Sequence, residues 1–581
     1  MKLNQNYAWR SYAILASVIV MTGLAGTKLF GLQIINHQSY QAWAQDQHQL
    51  YEKLMPSRGE IFMQDKYGGR NFPVALNRQE NTLYAIPRQL QESSNDLSAS
   101  LADILKIPVQ DIQTKITKQG DPFEIIKNRL TKQEVDQVKG LNCSALGFLP
   151  TTVRYYPAKN LASQVIGFVG YDGDQPKGQY GIEGYYNNDL QGEPGVFEGE
   201  KDTAGQWINL TAQKIVPARD GADLVLTLDQ GVQFMLEEKL QLLVEKWQAQ
   251  EGLMIVMEPK TGAIRGLANW PTFDLNQYSQ VEDFDIFLNA ATQKLYEPGS
   301  IFKPIVMAAG LAEGKIRPDS TYTDKGFVEV GNRTIHNAQN KSYGLRTMTQ
   351  VLELSLNTGA VYVQQKIGEK IFLDYIKRFG LDQKTGVDLS GERAGDIANL
   401  LTGRPINLAT ASFGQGIAVT PLGLISAIGA IANQGKLMRP YLVEEKITVS
   451  GEHLKTEPIV RAQVISPEVG HDLTEMLVSS VEKGFAKQGG VAGYQIAGKT
   501  GTAQISDPEG GYYEERALHS FIGYAPADDP RFIVLIILDS PQGVSFASTA
   551  VAPAFSEIAK YLFEYYNIPP QNQESRIKNR E

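Results

Sequence analysis

The chain has 581 residues, a length that suits roughly three or four domain-sized units. Its formal charge of −9 argues against a nucleic-acid binder, while 42% apolar and 20% charged residues support packed cores and exclude wholesale disorder. One cysteine, Cys143, excludes an internal disulfide and a cysteine-cluster metal site, and reads as a small buried hydrophobe.

In chain order, the apolar run 13–26 is interrupted only by Ser17 and Thr22 and resumes over 29–35 beyond Lys28. A helix needs about 20 residues to cross the hydrocarbon, so 13–35 is expected to span it with Lys28 snorkelling at the far interface. Lys2 and Arg10 precede the run, which places the N-terminus in the cytoplasm and the rest of the chain outside. Leu24-Ala25-Gly26 is a poor small-x-small site, so an uncleaved anchor is expected rather than a cleaved signal peptide.

Residues 37–55 read as a helical stalk. A mixed region follows to about residue 229, with β-like runs at 82–86, 164–169 and 224–228, helical segments at 97–107 and 132–139, and an exposed Gly-rich loop or hairpin over 192–205. Arg58 and Glu183 stand beside glycines in turns, where charged residues are mostly structural. The expected division is 1–45 for the cytoplasmic end, anchor and start of the stalk, 46–230 for a non-catalytic α+β pedestal, 231–567 for a catalytic domain and 568–581 for a polar tail. Within the third segment, 232–247 carries a helical apolar face, 253–257 and 263–268 read as a β-hairpin, and 350–379 is mostly helical. Residues 495–506, 520–525 and 532–538 read as strands and 551–566 as a closing helix, so one α/β domain is expected whose sheet joins its own ends.

The chemistry gathers at Glu297-Pro298-Gly299-Ser300-Ile301-Phe302-Lys303-Pro304, a turn running into the apolar helix 305–311. Ser300 and Lys303 then share a helix face, a nucleophile with a candidate base. Pro304 falls in the opening turn, where a missing N–H is harmless. Short motifs are cheap, and the chain carries decoys: Ser-x-x-Lys recurs at 480–483, Ser-x-Asn at both 355–357 and 93–95, and Lys-Thr-Gly at 260, 384 and 499. Context separates them. Ser480–Lys483 reads as a solvated helix face and Ser93 as loop. Lys260-Thr261-Gly262 is a hairpin tip, and Lys384-Thr385-Gly386 follows a helix. Lys499-Thr500-Gly501 alone opens a strand, with Gly501 bare for a ligand and Thr500 and Thr502 on one face.

Gly493 to Thr500 matches the P-loop pattern, but β-like residues rather than a helix follow its Lys-Thr, so phosphate has no helix N-terminus to meet. No Gly-x-Ser-x-Gly elbow supports a Ser-His-Asp hydrolase.

The ordered set Ser300-x-x-Lys303, Ser355-x-Asn357, Lys499-Thr500-Gly501-Thr502 resembles that of the penicillin-recognising acyltransferases. Arg58-Gly59, Gly181-Ile182-Glu183-Gly184, Ser412-Phe413-Gly414-Gln415-Gly416 and Gly523-Tyr524-Ala525-Pro526 extend the likeness from the anchor to about residue 565. The chain resembles a class B penicillin-binding protein, a peptidoglycan D,D-transpeptidase, and Asn357 and Thr500 favour the division-specific branch. Leu356, where a second serine is common, and the irregular stretch after Arg58 depart from that branch's pattern. The resemblance implies an α/β multidomain fold: a penicillin-recognising serine transferase domain, with a central antiparallel sheet and helical subdomain, on a mixed pedestal with one N-terminal transmembrane helix. It implies a single-pass protein of a bacterial cytoplasmic membrane with the catalytic domain outside, no cofactor and no metal. Its partners would be peptidoglycan stem peptides, β-lactams as covalent inhibitors, the membrane, and a division-complex glycosyltransferase and scaffolds. Ser300, Lys303, Ser355, Asn357 and Lys499 would be catalytic, and Thr500, Gly501 and Thr502 would bind substrate. The alternatives are a β-lactam sensor or β-lactamase on the same fold, an elongation-type transpeptidase, or a scaffold with a vestigial site.

Overall fold

The computed structural model describes residues 8–30, 49–68, 72–90, 94–118, 121, 123–173, 175–200, 214–507 and 510–570. The chain divides into two compact units: Met1–Ser57 with Gly192–Gly221, and Arg58–Gln191 with Ala222–Glu581.

In the first unit, the helix Ala8–Phe30 contains a 19-residue stretch, Tyr12–Phe30, long and apolar enough to cross a membrane and unburied in the fold. At 1.5 Å per residue it is roughly 28 Å long, close to the thickness of a hydrocarbon core. Residues 31–35 of the expected span and the stalk up to residue 48 lie outside the described residues. The end of the expected stalk is corrected: Gln49–Leu54 is a strand, antiparallel to Gly195–Glu200, which pairs in turn with Lys214–Val216. Helical spacing of a few apolar residues loses here to ladder bonds with a segment far along the chain. Within the Gly-rich stretch the strand covers Gly195–Glu200, its antiparallel pairing with Lys214–Val216 being compatible with the expected hairpin, and 201–205 lie outside the described residues.

The second unit holds two large sheets. The seven-stranded one runs His453–Lys455, Val443–Ile447, Asp223–Asp229, Ile61–Gln64, Phe72–Ala85, Glu124–Leu130, with Leu146–Tyr155 also paired to Phe72–Ala85. Its first two strands come from beyond residue 440, so this sheet joins most of the 46–230 segment to the 231–567 segment. Helices Ser94–Leu105, Val109–Ile116 and Lys132–Gly140 supply Leu101, Leu105, Ile112, Val135 and Val138 to a core with Leu83 and Ala85. Cys143 packs at the edge of that core and is half-buried rather than enclosed. The β-like reading of 164–169 is corrected too. Ser163–Ile166 is a helical turn, ended by Gly167 at φ 73°, and the strand begins at Phe168. Gln164 is buried because its amide donates to the carbonyls of Pro271 and Ile286 at 2.8 and 3.0 Å.

The five-stranded sheet is antiparallel throughout: Ile264–Trp270, Glu251–Met257, Phe532–Asp539, Tyr512–Ala525, Ala497–Ser506. Its early and late strands are neighbours, as the sequence predicts. Alternate residues serve two cores. Met254, Val256, Val534 and Ile536 meet the helices Gln230–Trp247 and Ala552–Tyr565. Leu253, Ile255, Leu535 and Ile537 share a core with the helices Lys303–Ala312, Pro421–Ala432 and Pro467–Lys483. With both faces covered, these strands read as unbroken apolar runs. The fold is the expected one: a central antiparallel sheet with a helical subdomain, continuous with a mixed α/β region.

Candidate active site

Ser300 lies on a 3-10 turn, Gly299–Phe302, that runs directly into the helix Lys303–Ala312 with Pro304 in its first turn. Buried Ile301, Phe302, Ile305 and Val306 lock that turn into the core. Two glycines let it bend. Gly299 has φ 57°, and its N–H donates to the Gly414 carbonyl at 3.0 Å. Gly414 has φ 84°, and a Cβ there would stand 2.2 Å from the Gly299 oxygen. The Ser412–Gly416 stretch is therefore the backing of the Ser300 turn. At Gly501, a Cβ would meet Ser520 Oγ and, at 3.0 Å, Ile301 Cγ2, so the protein's own packing already requires glycine there.

Lys303 is wholly buried, and its Nζ lies 3.0 Å from Ser300 Oγ, 2.6 Å from the Ser355 carbonyl, 3.3 Å from Ser355 Oγ and 2.9 Å from Asn357 Oδ1. Ser355 sits in the break between the helices Met348–Glu353 and Asn357–Arg378, with φ 53°. Lys499, 1% exposed, places Nζ 2.9 Å from Ser355 Oγ and 3.0 Å from the Thr500 carbonyl. Five of the expected residues thus form one hydrogen-bonded constellation, drawn from three segments. No described carboxylate pairs with either lysine. Burial, and secondarily the charge of Lys499, holds the Lys303 amine well below its usual value; burial brings Lys499 down to about 7. An amine whose neutral form burial favours, in contact with a serine hydroxyl, can take its proton.

The three motifs line a cleft of about 830 Å³ together with Arg333, His336, Phe413, Gln504, Tyr512 and Phe546. Thr500 is buried at its wall and Thr502 is exposed, accepting from the Ala547 N–H at 3.3 Å. Among the described lining residues there is no Asp or Glu, in a chain of formal charge −9. Sequence reasoning missed this wall. Arg333 and His336 stand on the short strand Arg333–His336 and Tyr512 opens the strand Tyr512–Ala525, but single aromatic or basic residues carry no spacing signal; only Ser412–Gly416 stood out beforehand.

The decoys part company with the site. Ser480 is buried, contrary to the solvated face expected, because its helix packs that side against Leu352, whose carbonyl lies 3.5 Å from its hydroxyl. Gly262 has φ 85° in a turn. The Thr385 N–H and hydroxyl and the Gly386 N–H all donate to Glu392, so that motif caps a carboxylate. Lys499 and Thr500 lie inside a strand with no helix after them, which removes the P-loop reading. Ser93 lies outside the described residues. Arg58 and Glu183 belong to a different centre: Glu183, fully buried, takes Arg58 at 2.6 Å and Arg154 at 2.6 Å, with the Tyr156 hydroxyl donating at 3.3 Å. Burial opposes ionisation of Glu183, but the two guanidinium groups outweigh it and hold its carboxyl below the usual value.

A family model described as "Penicillin binding protein transpeptidase domain" matches residues 252–560, and one described as "Penicillin-binding Protein dimerisation domain" matches 53–226. Stage V sporulation protein D of Bacillus subtilis is 33% identical over 98% of this chain and 87% of its own length. The probable peptidoglycan D,D-transpeptidase PenA of Neisseria meningitidis is 28% identical over 96% of this chain and 93% of its own. The crystal structure of penicillin-binding protein 3 from Mycobacterium tuberculosis complexed with aztreonam superposes with TM-score 0.68 at 25% identity, covering 90% of this chain and 98% of that one.

Proposed function

The chain belongs to the class B penicillin-binding proteins, serine-type peptidoglycan D,D-transpeptidases, and from this premise we propose how its cleft performs the reaction and where in the cell it acts. Ser300 Oγ attacks the carbonyl between two terminal D-alanines of a stem peptide, and Lys303 takes its proton. The carbon–nitrogen bond breaks, and Ser355, between the two amines, passes a proton to the departing D-alanine. Asn357 holds the substrate's backbone amide, and Thr500 and Thr502, in the potential of Lys499, grip its terminal carboxylate. A cleft with no described carboxylate suits an anionic ligand. Backbone N–H groups of Ser300 and Thr502 stabilise the oxyanion, one such donor being worth roughly 3 kcal/mol of barrier. The amine of a second stem peptide then attacks the ester, forming the cross-link and returning the proton to Ser300.

The observation that carries this reading is the unbroken chain of contacts Ser300–Lys303–Ser355–Lys499. β-Lactams acylate Ser300 and remain, as the aztreonam complex of the Mycobacterium tuberculosis relative favours. The helix Ala8–Phe30 anchors the protein in a bacterial cytoplasmic membrane with the catalytic unit outside, facing lipid-linked precursor strands. Asn357 and Thr500 support a role in septal synthesis, beside a division glycosyltransferase and scaffold proteins. The name of the 33% identical relative favours a second setting, wall synthesis during sporulation; depletion during growth and during sporulation separates the two. The chemistry is tested by treating the detergent-solubilised full chain with a fluorescent penicillin and mapping the adduct by mass. One stable adduct on Ser300 is expected. Labelling that survives Ser300→Ala overturns the assignment, and rapid release of the label favours a β-lactamase.

A further inference from the structure

Beneath the lip of the cleft lies a polar network that belongs to none of the three motifs. Asp324 ends the strand Thr321–Asp324 and is 1% exposed. No described cation pairs with it; its carboxylate is held by donors alone. Oδ1 accepts from Thr358 Oγ1 at 2.7 Å, Asn337 Nδ2 at 2.9 Å and the Gly326 N–H at 3.0 Å. Oδ2 accepts from the Tyr343 N–H at 2.8 Å and Asn337 Nδ2 at 3.0 Å.

Asn337, 4% exposed, has its amide nitrogen committed to Asp324, which turns its oxygen toward Thr358. That oxygen accepts from the Thr358 N–H at 3.2 Å, while the single Thr358 hydroxyl proton goes to Asp324 at the shorter 2.7 Å. The helix Asn357–Arg378 has Leu356 at its N-cap and no side-chain cap of its own. Asn337 therefore satisfies one of its open N–H groups from 21 residues away. One residue earlier on each segment, Asn357 Nδ2 donates to the His336 carbonyl at 2.9 Å, while Asn357 Oδ1 faces Lys303 Nζ at 2.9 Å. The two ends of the Asn357 amide are thus assigned by a carbonyl on one side and the Lys303 amine on the other.

Building on the transpeptidase reading, we propose that Asp324 is a positioning residue: through Asn337 it holds the His336 carbonyl where it fixes the orientation of the Asn357 amide against Lys303. An amide in place of the Asp324 carboxylate turns a donor toward Asn337 Nδ2 or the Tyr343 N–H, and the 336–337 backbone moves away from the helix. Asn357 then loses the partner that sets its flip. A misplacement near 1 Å at a reacting centre costs on the order of 100-fold in rate.

The test is a double-mutant cycle on the full chain in detergent, reading the acylation rate constant and the pre-acylation binding constant for a fluorescent penicillin. Asp324→Asn and Asn337→Ala are each expected to slow acylation by about 10- to 100-fold. Combined with Asn357→Ala, either should add less than about twofold to the slowing by Asn357→Ala alone, because both act through that amide. A merely structural role predicts a lowered melting temperature with multiplicative effects, and that result overturns the proposal. Should Asp324→Asn not fold, Asn337→Ala decides, since Asp324 keeps its bonds to Thr358, Gly326 and Tyr343; an acylation rate within twofold of the parent overturns it equally. Wild-type protein that takes no label on Ser300 refutes the transpeptidase reading instead, so the two failures are distinct.

Discussion

Lys303 and Lys499 turn their amines to one hydroxyl: Ser355 Oγ lies 3.3 Å from the first and 2.9 Å from the second. Two buried ammonium groups sharing a serine, with no described carboxylate between them, cannot both hold protons cheaply. The site is therefore built to keep at least one amine neutral, which a lysine acting as base requires.

The pH dependence of acylation follows. The acid limb of the acylation rate is expected well below the usual lysine value, since burial first and Lys499 second lower the Lys303 amine. Lys499→Gln removes the second cause, so the limb should move toward higher pH while the rate falls. An unmoved limb, measured by stopped-flow with a fluorescent penicillin, removes Lys499 as a contributor. Stability carries the same sign. Unfolded lysine keeps its proton up to 10.5, whereas Lys499 releases it near 7, so folding expels a proton between those values and Lys499 makes stability rise with pH across that window.

Gly414→Ala should act on catalysis from outside the three motifs. Its Cβ would stand 2.2 Å from the Gly299 carbonyl oxygen, at φ 84°. Backbone meets backbone, so relief requires the Ser300 turn to shift, and acylation should fall by about 100-fold. Left-handed strain adds roughly 1–2 kcal/mol to the stability cost. The acylation rate of protein shown to be folded by its melting curve decides the matter.

Glu183→Gln should do the reverse. It leaves Arg58 and Arg154, both largely buried, without their shared counter-charge, at a cost of about 3–5 kcal/mol. The acylation rate of the folded fraction should not change. Because the folded Glu183 carboxyl is held below its ordinary 4.5, its contribution is present above that value and lost as pH falls through the folded one. Thermal melts between pH 3 and 7 should show the parent losing stability toward acid more steeply than the variant.

Ser480→Ala tests the decoy. Its hydroxyl is buried and makes one long contact to the Leu352 carbonyl. Penicillin labelling should be unaffected, and the loss in stability should stay within about 0.5–1.5 kcal/mol.

Much of this was legible in the chain itself. The apolar runs 253–257 and 532–538 announce strands covered on both faces, and the spacing in Ser300-x-x-Lys303 places two side chains on one face, because local periodicity is set by backbone geometry alone. The misreadings arose where a distant partner outbid a local preference. Gln49–Leu54 became a strand by pairing with Gly195–Glu200. Ser480 was buried by the packing of its helix.

By itself the sequence determined the order of the motifs, the membrane-length apolar helix, and the kinds of side chain available for acyl transfer, since each is written in spacing and composition over a few residues. Only the tertiary structure decided that Lys303 and Lys499 meet at Ser355, that Gly414 backs the Ser300 turn, and that Asp324 and Asn337 reach the helix carrying Asn357. Those relations join residues from 21 to 144 positions apart in the chain, and their distances follow from how the cores close, which no local pattern records.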